Sequence, residues 1–123
     1  MKAISRTAFL ILIAATLEGH HGFTAFDSKT VVTLQGTVTD FHFVNPHSVV
    51  EIEVKDAEGQ ARKWSMELSS AGRLASKGLT AASLEAGDTI TVSGYPARNG
   101  AHSLWGTKIV LPNGRTLDLL GDR

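Results

Sequence analysis

Five histidines carry the metal chemistry open to this chain: His20, His21, His42, His47 and His102. Neutral imidazoles suit copper, with zinc and nickel next. If His20 begins a processed chain, its free amine and its ring chelate one ion, and His21 adds a further nitrogen. If Gly19 comes first instead, a histidine stands third, which also suits Cu(II) or Ni(II). His47 follows Asn45-Pro46, and a sharp corner is needed to fold His42 and His47 together. The expected ligands are His20, His21 and His47, with His42 as a further one. No pair sits at a diagnostic ligand spacing. Structural readings compete: a flexible polar leader, a His47 ring hydrogen-bonded to the backbone of the bend, and a solvated His102 at the start of a strand.

Other chemistry has less to stand on. Glu51, Glu53 and Glu67 could share one face, and a carboxylate pair can do acid–base work. Alternating acids on a hairpin also simply keep one face soluble. The chain has no cysteine, which excludes disulfides, thiolate metal sites and cysteine nucleophiles. It has no serine-nucleophile motif, phosphate-binding glycine loop or zinc-protease signature. Ser69-Ser70 reads as a helix cap. The expectation is a protein that is not an enzyme. Tyr95 and Trp105 could line a shallow apolar pocket for a small ligand, a peptide or a protein, or could be barrel-end packing.

The chain's ends and composition set limits. Residues 8–17 form an apolar run of ten after Lys2 and Arg6. That is shorter than the roughly 20 residues that span a bilayer and suits a secretory signal. Cleavage after Gly19 makes 1–19 a signal peptide, 20–30 an N-terminal leader and 31–120 the folded domain. Export of a cysteine-free domain suggests a periplasmic or secreted bacterial protein with no membrane anchor after cleavage. Lys+Arg and Asp+Glu balance at 12 each, so there is no whole-chain basic field.

The elements that position these residues follow from periodicity. Residues 31–43 read as a long strand whose apolar phase slips by one at Asp40, the mark of a β-bulge. Asn45-Pro46-His47 is a corner. The second strand points Val50, Ile52 and Val54 inward. After a turn at Gly59, the third carries Arg62, Trp64, Met66 and Leu68 on one face. Opposing inward residues pairs Ile52 with Trp64, and Glu53 with Lys63. Residues 69–78 form a short helix ended by Gly78, and Thr80 caps a second helical turn stapled by Leu79 and Leu84. Strands over 89–95, 102–111 and 116–120 complete the chain. This β-β-β-α-β-β order is that of an OB-fold-like barrel of five to six strands, all-β with one short helix; a small antiparallel β-sandwich is the alternative. The outer face of strands two and three offers Val49, Glu51, Glu53, Ser65 and Glu67. It lacks the stacking and basic character that single-stranded nucleic acid needs, so nucleic acid is excluded as a partner.

Several motifs in order carry a resemblance: His20-His21 with Phe23, residues 32–38, Asn45-Pro46-His47, Val54-Lys55-Asp56, Trp64, Gly87-Asp88, Val92-Ser93-Gly94-Tyr95 and residues 111–115. Together they resemble a family of small exported bacterial proteins classed as a domain of unknown function. Gly22 stands where that family more often has serine, and Leu79 where it commonly has tryptophan. The resemblance implies export and a β-barrel, and brings no activity or catalytic residue. The expected function is an exported, non-catalytic binding domain of unknown ligand, with a transition metal such as copper held by the histidines. The alternative is a protein- or small-molecule-interaction module without metal.

Overall fold

The structure is a computed structural model and describes residues 23–120. A 3-10 turn, η1 (Phe23–Ala25), precedes β1 (Val32–His42), β2 (Val49–Lys55), β3 (Ala61–Glu67), α1 (Ala71–Ser76), β4 (Thr89–Pro96), β5 (Ser103–Val110) and β6 (Thr116–Asp118). The sheet order is β3-β2-β1-β4-β5-β6, and parallel pairing of β3 with β5 closes a five-stranded barrel. This is the OB-like architecture expected from the element order.

β1 serves two neighbours by bending. Its first half pairs with β4 and its second half with β2. Gly36 sits at the changeover, where a Cβ would meet the Glu53 carbonyl at 2.7 Å. The register slips between Val38 and Asp40, the expected bulge. The β2–β3 hairpin has the expected register, with Ile52 opposite Trp64 and Glu53 opposite Lys63. Val50, Ile52, Met66, Leu68, Ile90, Val92, Leu104 and Ile109 fill the barrel, all buried.

α1 is short because both ends are fixed. Ser70 caps it by accepting the Arg73 N–H at 3.3 Å, and Asn45 Oδ1 accepts the Ala71 N–H at 3.0 Å. Gly78, at φ 90°, lets Leu79 N–H reach the Leu74 carbonyl at 2.9 Å, closing a Schellman turn. Leu74 is then buried in the core. The second helical turn expected at Thr80 is instead a non-helical turn. Thr80 N–H donates to Ser83 Oγ at 2.8 Å, and the Ser83 N–H returns to the Thr80 carbonyl. The local hydroxyl competes with helix propagation, while Leu79 and Leu84 are buried all the same. Among the described residues no helix is long and apolar enough to cross a membrane.

Candidate functional site: the outer face of the barrel

Strand register lines side chains into rows on the outside of the barrel. One row runs His42, Val49, Glu67, Trp105, Tyr95 across five strands. The next runs Asp40, Glu51, Ser65, Ser103, with Ser65 Oγ donating to Ser103 Oγ at 3.3 Å. Alternation puts Met66, Val50 and Leu104 inside, which turns these rows outward.

Trp105 is the hub of one end of this face. The His47 ring meets it edge-on, centroids 5.4 Å apart and planes at 88°. Phe23 meets the same indole edge-on at 5.8 Å and also meets Tyr95 at 5.8 Å. Phe26 is tilted against the indole at 5.9 Å. The leader is bound here by its backbone: Asp27 N–H donates to Pro96 O, Arg98 N–H to Ala25 O, and Phe26 bridges to Ala97. Tyr95 and Trp105 are thus a cross-strand pair capped by the chain's own Phe23. In the same row, Glu67 Oε2 is buried without a hydrogen-bond partner.

The corner aims His47. The Asn45–Pro46 peptide is cis. Ser48 is fully buried; its Oγ accepts the Val44 N–H at 3.1 Å and donates to the Val44 carbonyl at 3.0 Å. Its N–H donates to Ser69 O, and its carbonyl accepts the Leu68 N–H. His20 and His21 lie outside the described residues.

His42 belongs to the other end of the face. Its Nε2 lies 3.1 Å from Asp40 Oδ2 and 3.9 Å from Glu51 Oε1. The bulge sets Asp40 opposite Glu51 and His42 opposite Val49. The Phe41 N–H holds Asp40 Oδ1 at 2.8 Å, which leaves Oδ2 for the imidazole. Asp40 is the residue that sequence reasoning missed; the phase slip at that position was its only signal.

Trp64 and His102 form a further feature. Their rings stack at 4.5 Å and 9°. The pair lies between two clefts, one with Leu34, Lys55 and Arg62, the other with Asp40, Glu53 and Lys63. His102 is held there because its carbonyl accepts the Ser65 N–H where β3 meets β5. The premise that this part of the barrel lacks stacking and basic groups therefore fails.

Fold and face together define an OB-like barrel with a histidine- and carboxylate-bearing outer surface. The chain belongs to DUF6152, a family of unknown function, whose model matches residues 9–106. No curated protein matches the sequence. Among solved structures it is similar to a mitochondrial single-stranded DNA binding protein, Rim1, from S. cerevisiae: 16% identity over 67% of this chain and 92% of that one, TM-score 0.46. It is also similar to the dimeric N-terminal domain of PriB from Thermoanaerobacter tencongensis: 20% identity over 68% of this chain and 96% of that one, TM-score 0.43. The exclusion of nucleic acid is corrected: Trp64 stacks on His102 beside Arg62 and Lys63, so the reason for it no longer holds.

Proposed function

We propose that this protein is an exported, periplasmic or secreted, non-catalytic binding domain. Its ligand is a transition metal, copper first, held between His47 and the leader histidines His20 and His21. The single observation behind the reading is that His47 and Phe23 share the Trp105 ring. His20 and His21 stand three and two residues before Phe23 in the sequence. Imidazole nitrogens with a terminal amine suit Cu(II). The Glu67 oxygen without a partner in the Trp105 row leaves an acceptor at this end of the face. Glu53 lies on the exposed outer surface of the hairpin, where it serves solubility and charge rather than proton transfer.

The test is calorimetric titration of the mature chain with Cu(II) and Zn(II), its N-terminus fixed by mass spectrometry. Stoichiometric binding weakened tenfold or more by His47→Ala, about 1.4 kcal/mol, is the expected result. Binding untouched by the substitution makes the leader a chelator on its own. Absence of binding sinks the reading, and protein that stays in the cytoplasm with its N-terminus unprocessed sinks export.

A second reading rests on the stacked Trp64–His102 pair with Lys55, Arg62 and Lys63 around it. Aromatic stacking beside cations is what single-stranded nucleic acid uses. Asp40, Glu51 and Glu53 on the same side oppose a phosphate backbone, which ranks this reading second. Anisotropy of a labelled oligothymidylate at low and high salt decides it; salt-independent or absent binding ends it.

A further inference from the structure

We propose that Asp40, His42 and Glu51 form a separate metal site at the β1 bulge, which takes a divalent transition ion such as Zn(II) or Cu(II) independently of His47. The three ligand atoms lie within 4.8 Å of one another. Two donors bonded to one tetrahedral ion at about 2.1 Å stand about 3.4 Å apart. The observed 3.1 Å and 3.9 Å bracket that spacing.

The arrangement is a product of the backbone. Asp40 and His42, two residues apart beyond the bulge, share one face, and without the bulge Glu51 would pair with Thr39 instead. The bulge shifts the β1–β2 register so that Asp40 comes opposite Glu51, with His42 the next residue on the same face. The Phe41 N–H then fixes the Asp40 carboxylate by its other oxygen.

The donor chemistry selects the ion. Calcium and magnesium prefer all-oxygen shells, whereas an imidazole with two carboxylates suits zinc and copper. As an ion pair alone the cluster has little to hold it: the side chains of His42, Asp40 and Glu51 are 47%, 54% and 50% exposed. Exposed pairs of this kind contribute little to stability. Three protein donors leave a tetrahedral ion one open position. Asp40 and Glu51 also line the cleft of about 510 Å³ that contains Glu53, Lys63 and Trp64, so the ion borders a space where a further ligand fits.

The experiment is Zn(II) titration of the His47→Ala protein, followed by calorimetry and by amide NMR. The expected result is one equivalent bound, with shifts confined to residues around Asp40, His42 and Glu51. His42→Ala or Glu51→Gln added to that background weakens binding at least tenfold, and excess Ca(II) does not compete. Exposed side chains at all three positions make these variants safe for folding, and circular dichroism confirms it. Loss of all Zn(II) binding in His47→Ala, or binding indifferent to His42→Ala and Glu51→Gln, overturns the second site. His47→Ala removes the ligand the two sites would be told apart by, and amide shifts confined to the bulge distinguish this binding from any that His20 and His21 retain.

Discussion

His47 stands edge-on to Trp105, ring centroids 5.4 Å apart and planes at 88°. That contact joins the corner before β2 to the middle of β5, two segments far apart in sequence. An aromatic pair in this geometry contributes about 0.5–1.5 kcal/mol beyond the area it buries. Because Phe23 and Phe26 use the same indole, Trp105 also fastens the leader to the barrel.

Trp105→Ala is therefore expected to cost about 2–3 kcal/mol, below the roughly 3–5 kcal/mol of a fully buried tryptophan because the residue is only partly buried. Urea unfolding measures this. The more specific result is at the leader: limited proteolysis should cut residues 23–30 much faster in the variant, while Trp105→Phe should retain most of the protection. Equal cutting rates would show that the backbone bonds to Pro96 and Arg98 hold the leader unaided.

Gly94→Ala is expected to disturb the same hub from behind. A Cβ at Gly94 would run into the Trp105 carbonyl oxygen, a backbone atom that cannot swing away. The register shift between Ser93 and Gly94 brings the two strands that close. The substitution should destabilise by about 1–3 kcal/mol, as overpacking does, and should shift Trp105 fluorescence. A stable variant with unchanged emission would show that β4 slides without moving the indole.

Much of this fold is legible from residue order, for identifiable reasons. Alternation and opposed charges place Ile52 against Trp64 and Glu53 against Lys63, because a hairpin's register follows from its turn and its buried face. The bulge at Asp40 appears as a slipped apolar phase. What the bulge brings together does not appear, since the pairing of Asp40 with Glu51 depends on how far the register moves. The Trp64–His102 stack is equally hidden: β3 and β5 meet only through barrel closure. The extra helical turn expected at Thr80 gives way to a non-helical turn because capping residues also build turns. Ser48 has no distinguishing signal in the sequence, although it organises the corner that presents His47.

Asp56 gives a pH prediction. The Gln60 N–H and then the Arg62 guanidinium hold its carboxyl below the ordinary value of 3.8, with the Glu58 N–H assisting. A lowered folded-state value means the carboxylate form favours folding. That contribution is complete above 3.8 and is lost as pH falls through the folded value. An NMR titration should place the Asp56 midpoint below 3.8, and Arg62→Ala should move it upward. A midpoint unchanged by Arg62→Ala would assign the effect to the backbone donors alone.

Ser48→Ala tests whether the corner positions His47 for the proposed metal site. The hydroxyl both accepts from Val44 N–H and donates to Val44 O, so alanine removes two bonds made by one buried atom. Groups left unpaired at a buried position cost about 1–3 kcal/mol. The backbone bonds of Ser48 to Ser69 and Leu68 persist, so the barrel should stay folded while the segment before His47 loosens. The expected outcome is a modest fall in the urea midpoint together with weaker Cu(II) binding by the mature chain. Zn(II) binding at Asp40, His42 and Glu51 should be unaffected, because that cluster is set by the β1–β2 register rather than by the corner. Parallel loss of both would mean that the two ends of the outer face share one folding unit and cannot be loosened separately.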